Sequence, residues 1–297
     1  MSHVPFLGEL LSLLTALVWA VGVVLFKKSG ETVSPVALNM FKNALAAALL
    51  VPTMPLFGVP FFPNRPASDW ALLAVSGVLG ISVADTLFFM ALERLGAGLL
   101  AVVDTLYSPM VIALSFAFLG ERLGSQALFG AALVTSAILI GAAGRPDPGR
   151  TRKDIAAGLT LAIASVALMA VGIVLVKRVV SEAPIAWTTT VRVLCGGVGL
   201  LPLLAVGKHR RAAKAAFTPS RSWRHMVPGA FFGTYCAMFA WIGGMKYTLA
   251  SVASVMNQLS TMFIFVLAAL FLRERVTARR VAAIALAMAG AILVTFR

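Results

Sequence analysis

Apolar runs of about 20 residues recur along nearly the whole chain, and a hydrocarbon layer about 30 Å thick is crossed by roughly that length of helix. The runs fall near 5–26, 35–56, 69–92, 97–119, 126–142, 154–176, 184–206, 223–245, 250–272 and 278–296. Between them lie segments rich in Gly, Pro and charge, such as KKSGETVSP, VPFFPNRPAS, AAGRPDPGRTRKD and GKHRRAAKAAFTPSRS. These residues punctuate helix ends. Composition agrees with lipid as the solvent: 60% of the 297 residues are hydrophobic and only 12% charged, against roughly 25% charged in a soluble domain. The first run lacks a basic lead-in and a small-x-small cleavage site, so it reads as a span and not as a removable leader.

The formal net charge of +14 is spread in short clusters, Lys27-Lys28, Arg150 to Lys153, Lys208 to Lys214 and Arg273 to Arg280. A nucleic-acid surface needs a contiguous basic face on a soluble fold; clusters between apolar runs instead suit loops facing anionic headgroups. Of the 25 Lys and Arg residues, 17 lie in or beside loops 1–2, 3–4, 5–6, 7–8 and 9–10, and 6 lie in the other loops and the ends. Lys42 and Arg192 are inside helices. The positive-inside rule then puts both termini on the non-cytoplasmic side of a membrane, expected to be a bacterial cytoplasmic (inner) membrane. Cys195 and Cys236 sit apart in apolar runs, and the three histidines lie near the N-terminus or in and beside a basic loop, so no metal site and no cofactor is expected.

The chain repeats itself. AVGVVLFKK at 20–28 returns as AVGIVLVKR at 170–178; with the offset grown from 150 to 153, Trp70 matches Trp223, Gly80 matches Gly233 and Glu121-Arg122 matches Glu274-Arg275. Five spans per half force the second half to insert upside down. The expected fold is therefore an all-α membrane protein of ten transmembrane helices, built as two inverted five-helix repeats at 1–144 and 154–297 with a cytoplasmic linker at 145–153. Inverted repeats are common in secondary transporters, whose solute site lies between the halves.

The Trp19-Ala20 pair leading to Lys27, the run SPMVIALSFAFLGERLGSQALFGAALVTSAILI from Ser108 and its second copy FIFVLAALFLRERVTARRVAAIALAMAGAILV from Phe263 carry a family likeness. On these residues the chain resembles the ten-helix drug/metabolite transporter superfamily, EamA-type, over essentially its full length. The resemblance implies a central solute path lined by helices 1, 3, 4, 6, 8 and 9. Two positions differ between the copies: Met262 stands where the first has Pro109, and Arg273 where it has Gly120.

Charged groups inside spans cost about 2.5–3.5 kcal/mol on insertion scales and are functional candidates by default. Lys42, Asp85 and Asp104 each lie seven residues from the same side of the membrane, roughly 10 Å deep at 1.5 Å per residue. Helices 3 and 4 share a very short loop, so the two carboxylates can meet. With Lys42 able to hold only one of them ionised, one reading has the other exchange a proton; the preferred reading is a static Lys–Asp pair that pins helix packing, with the second aspartate wetted by the cavity. Arg192, the second-half counterpart of Lys42, is expected to neighbour Asn257 and Tyr235; it reads either as a contact for an anionic solute group or, preferred, as a side chain snorkelling to the outer surface.

Other path candidates are Thr15 and Trp19 on helix 1, Tyr107 and Ser108 on helix 4, Tyr235 and Trp241 on helix 8, and Ser254, Asn257 and Thr261 on helix 9. Pro109 cannot donate to the Thr105 carbonyl and is the expected hinge. Small residues at four-residue spacing, Ser76, Gly80 and Ala84, Gly229 and Gly233, and Ala283, Ala287 and Ala291, read as close packing.

Two enzymatic readings fail. Intramembrane aspartyl proteases carry Tyr-Asp and Gly-x-Gly-Asp, whereas Asp104 follows Val103 and Asp85 follows Ala84; Gly80-Ile-Ser82-Val-Ala84 lacks the final glycine of a nucleophile elbow. The expected function is a non-enzymatic secondary transporter moving a small amino-acid-like or amphipathic metabolite by alternating access, with export first. A nutrient uptake permease and a non-transporting scaffold are the alternatives. The expected partners are a small-molecule solute and lipid, with protons added on the coupling reading, and no nucleic acid.

Overall fold

The structure, a computed structural model, describes residues 6–119, 125–142, 151–247, 250–273 and 276–295, with scattered side chains inside the later helices left outside that description. The long helices are α1 (Leu7–Ser29), α2 (Pro35–Leu56), α3 (Ala67–Leu95), α4 (97–119), α5 (Ser125–Ala142), α6 (Arg152–Glu182), α7 (Ile185–Ala205), α8 (Trp223–Tyr247), α9 (Ala250–Phe271) and α10 (Ala278–Thr295). They match the ten expected spans within a few residues at most ends. The main difference is α6, which runs on to Glu182 and begins at a capping box between Thr151 and Asp154. A short helix, Gly207–Ala216, occupies what reads in sequence as a basic loop; Ala213 and Ala216 are its buried side, against α2. Glu121, Arg122, Glu274, Arg275 and most of the linker at 145–153 lie outside the described residues.

Helix pairing follows a two-fold rule. α1 packs on α8 and α9 as α6 packs on α3 and α4; α2 meets α8 as α7 meets α3; α5 pairs with α10, and α2 with α7. Exchanging each helix with the one five places along leaves the pattern unchanged, as two copies of one unit interlocked about an axis require. Small residues permit the closest crossings. At Gly22 of α1 an added Cβ would meet the Gly233 backbone of α8, and Ala137, Ala283 and Ala287 are fully buried where α5 meets α10. Between α3 and α4 a single residue turns the chain: Gly96 has φ 79°, which a Cβ would strain.

Three irregularities position the centre. α3 is π-helical over Val78–Ala84 and α8 over Phe231–Cys236, positions that coincide to within one residue under the 153-residue offset. A π segment shifts backbone partners, and inside a membrane the affected carbonyls need protein to satisfy them. In α3 Asn39 of α2 donates to the Ile81 and Ser82 carbonyls at 2.9 and 3.3 Å, and Ser165 of α6 donates to the Ala84 carbonyl at 2.7 Å. The third irregularity is in α4, whose helix stops at Asp104 and restarts at Tyr107. Between them the Thr105 and Leu106 amides reach back only three residues, to Val102 and Val103. Pro109, one turn on, has no N–H to offer Thr105.

A central cavity lined by both repeats

The two π segments, the break in α4 and the midpoints of α1, α6 and α9 surround a cavity of about 140 Å³. Its wall shows how it is built. At offsets of 150 or 153, Thr15 pairs with Ser165, Ala16 with Val166, Trp19 with Met169 and Lys42 with Arg192. Gly80 likewise pairs with Gly233, Ile81 with Thr234, Asp85 with Met238, Phe88 with Trp241, Asp104 with Asn257 and Tyr107 with Ser260. Only Asn43 and Ala237 of the lining residues stand outside these pairs. The cavity therefore straddles the two-fold relation between the repeats.

Its charges are unevenly shared. Each repeat contributes one cation, but both carboxylates come from the first: Asp85 and Asp104 face Met238 and Asn257 across the pairing. Lys42 Nζ lies 2.6 Å from Asp85 Oδ2 in a pair that is 4% and 8% exposed, and Lys42 also sits 5.8 Å from the Phe89 ring centroid. Phe89 and Phe88 form an edge-to-face pair, and Trp19 tilts onto Phe88. Asp104 lines the same cavity and makes no hydrogen bond or ion pair among the described residues. Arg192 gives the wall two basic and two acidic side chains, so the three-group cluster anticipated from the first repeat is incomplete without it.

Arg192 does not snorkel outward. It is 1% exposed, faces the cavity, and lies with its guanidinium 5.1 Å from the Trp241 ring centroid. The electrostatic neighbours of the guanidinium are Asp85 and Tyr107, both from the first repeat. Gly80 of the α3 π segment lies beside the guanidinium, where a Cβ would stand 3.5 Å from Arg192 Nη2, in ordinary contact. Asn257, with its amide oriented to satisfy both neighbours, accepts from Trp241 Nε1 at 3.1 Å and donates to the Ser12 carbonyl at 3.2 Å. It thereby steadies the ring that Arg192 covers.

Of the candidates read from sequence, Thr15, Trp19, Lys42, Asp85, Asp104, Tyr107, Arg192, Trp241 and Asn257 line the cavity. Tyr235 does not: its hydroxyl shares a 2.9 Å hydrogen bond with Thr53 of α2 and its ring stacks on Phe231. Ser108 is fully buried away from the cavity, and Thr261 donates to the Ala101 carbonyl at 3.3 Å. The side chain of Ser254 lies outside the described residues. Asn43, Phe88, Ser165, Met169, Thr234, Met238 and Ser260 are lining residues that sequence reasoning did not single out. Projecting the known candidates through the repeat offset would have found Ser165, Met169, Met238, Phe88 and Ser260.

Long apolar helices and a largely apolar cavity with a few charged and polar groups, lined by both interlocked halves, define an integral multi-pass membrane protein of the transporter type. A family model described as "EamA-like transporter family" matches residues 6–141 and again 156–296, and the chain belongs to that family. It is 25% identical over 283 residues to an uncharacterized transporter of Archaeoglobus fulgidus, covering 93% of each chain. It is also 25% identical over 237 residues to Protein PecM of Dickeya dadantii, covering 78% of this chain and 76% of that protein. A solved crystal structure shares the fold with a TM-score of 0.69 at 18% identity, covering 97% of this chain and 96% of the other. The two family matches correspond to the two repeats.

Proposed function

We propose that this protein is a secondary transporter that carries a small amphipathic or amino-acid-like metabolite out of the cell by alternating access. The observation that carries the reading is the pairwise lining of the cavity. A site built equally from two interlocked repeats can be exposed to one side or the other by rocking one repeat against its copy. Aromatic walls with a few polar groups suit a solute of modest size; 140 Å³ corresponds to roughly ten water-sized spheres. The reading places the halves at 1–144 and 154–297 around the 145–153 linker, Pro109 as a hinge, and both termini outside a bacterial cytoplasmic membrane, which the Lys and Arg distribution supports.

Protons are the proposed coupling ion. Lys42 already holds Asp85, so Asp104, with no partner among the described residues, is the proton-exchanging carboxylate. Counterflow from preloaded proteoliposomes across a pH series tests both claims. Wild type is expected to show outward flux that rises with an inward proton gradient, and Asp104→Asn to lose that dependence. Unchanged pH dependence in both Asp85→Asn and Asp104→Asn would remove the coupling; absence of flux for any metabolite screened would remove transport.

A further inference from the structure

Buried polar atoms are nearly always hydrogen-bonded, and the exceptions ask for an explanation. Most of those among the described residues line one cavity: Nε and Nη1 of Arg192, the Tyr107 hydroxyl, the Thr234 hydroxyl and Oδ1 of Asn43 have no hydrogen-bond partner there. An arginine that served only to pin helices would be expected to spend its donors on carbonyls or carboxylates. Arg192 instead holds a fixed orientation against Trp241 with donors unspent.

The charges sharpen the point. Lys42 and Asp85 neutralise each other at 2.6 Å. That leaves two charged side chains on the wall, Arg192 and Asp104, of opposite sign and with no ion pair to each other or to another described residue. Tyr107, an electrostatic neighbour of Arg192, stands three residues after Asp104 across the break in α4. A solute carrying only a carboxylate would satisfy Arg192 and leave Asp104 unmatched; one carrying only an ammonium would do the reverse. A solute with both matches both.

We infer that the cavity is a zwitterion site: Arg192, helped by the Tyr107 hydroxyl, takes the solute carboxylate, Asp104 takes its ammonium, and Trp19, Phe88 and Trp241 surround an apolar or aromatic body. This rests on the transport reading for its place at the centre, and it goes further by naming the charge class and the two residues that select it. Guanidinium suits the first role because its planar fork matches a carboxylate. A site built to bond a polar group rejects analogues that lack it, because its own buried atoms are then stranded.

The test uses two sets of three probes that share a body and differ in charge: L-phenylalanine, 3-phenylpropionate and phenethylamine; and L-leucine, 4-methylpentanoate and isoamylamine. Binding is measured on the full-length protein in nanodiscs by competition and by thermal shift. In each set the zwitterion is expected to bind at least about tenfold more tightly than either single-charge analogue. Arg192→Gln should erase its advantage over the amine, Asp104→Asn should erase its advantage over the carboxylate, and Arg192→Lys should keep part of it. A monoanion or monoamine that binds as well as the zwitterion overturns the inference. So does an equal loss for all three probes in both variants, or no binding of any probe to folded protein. Tight zwitterion binding without flux in proteoliposomes would leave this inference standing and remove the transport reading instead.

Discussion

The contact of α3 with α6 and its repeat equivalent, α8 with α1, share a backbone plan and are braced very differently. At one end of the first contact, buried Asp69 accepts from Arg178 of α6 at 2.9 Å and from Arg65 at 3.0 Å, and Glu182 joins through Arg65 at 3.3 Å. In the middle, Ser76 donates to the Gly172 carbonyl at 2.6 Å; nearer the cavity, Ser165 donates to the Ala84 carbonyl at 2.7 Å. Each brace has a weaker counterpart. Ser222 replaces Asp69 and shares a 2.9 Å hydrogen bond with Thr32; Gly229 replaces Ser76 and brings no side chain; Thr15 replaces Ser165 but donates to Leu11 of its own helix at 2.8 Å. Duplicated backbones thus carry unequal polar bracing. The α1–α8 seam is the one expected to part first, and the α3–α6 seam to hold.

The contrast is sharpest at the π segments. Asn39 satisfies two carbonyls of the first, whereas its counterpart Thr189 has a buried hydroxyl with no partner among the described residues. Asn39→Ala should cost about 2–3 kcal/mol by stranding the Ile81 carbonyl and depriving Asn43 of one of its two acceptors, while Thr189→Ala should be close to neutral. Unfolding of the two variants in detergent compares them directly; equal losses would mean that both π segments are braced alike.

The paired glycines give the next largest difference. A methyl at Gly22 would run into the Gly233 backbone, while one at Gly172 would meet nothing nearer than 3.4 Å. Gly22→Ala is expected to lower stability by about 1–3 kcal/mol through overpacking, and Gly172→Ala by less than about 0.5 kcal/mol. If thermal unfolding ranked them the other way, the tight seam would have been assigned to the wrong pair of helices.

The smallest effect concerns the seam ends. Asp69→Asn should cost about 1–2 kcal/mol, since a buried acceptor loses its charge but Arg178 is 62% exposed and can turn to water. Ser222→Ala, at an exposed pair, should cost only a few tenths of a kcal/mol. Cysteine labelling at each seam end reports opening as well as stability: Asp69→Asn should raise reactivity at its own seam alone. Reactivity rising equally at both would show that the two seams open together.

How legible was this in the residues? Span length and the returning AVGxVLxK motif were enough for the helices and for the duplication, because crossing lipid demands length and internal hydrogen bonding whatever the neighbours do. Depth counting also brought Lys42 level with Asp85, since helical rise is constant. Arg192 was misplaced for an instructive reason. Counting measures depth along one helix, whereas Arg192 approaches Asp85 and Tyr107 of the first repeat sideways, past Gly80 and a π segment that leaves no periodic mark in the sequence. The same blindness hid Asn39, whose amide meets carbonyls of that segment, and the bond of Ser165 to the Ala84 carbonyl, although the repeat offset points to Ser165 itself.

The residues by themselves therefore determined the solvent, the number of crossings and the duplication, all of which follow from local length and chemistry. Tertiary structure alone decided which charges meet, which polar atoms are left without partners, and which of two equivalent seams is braced. Those depend on the angle at which one helix presents its side chains to another, and a single extra residue in a π turn changes that angle without altering the composition around it.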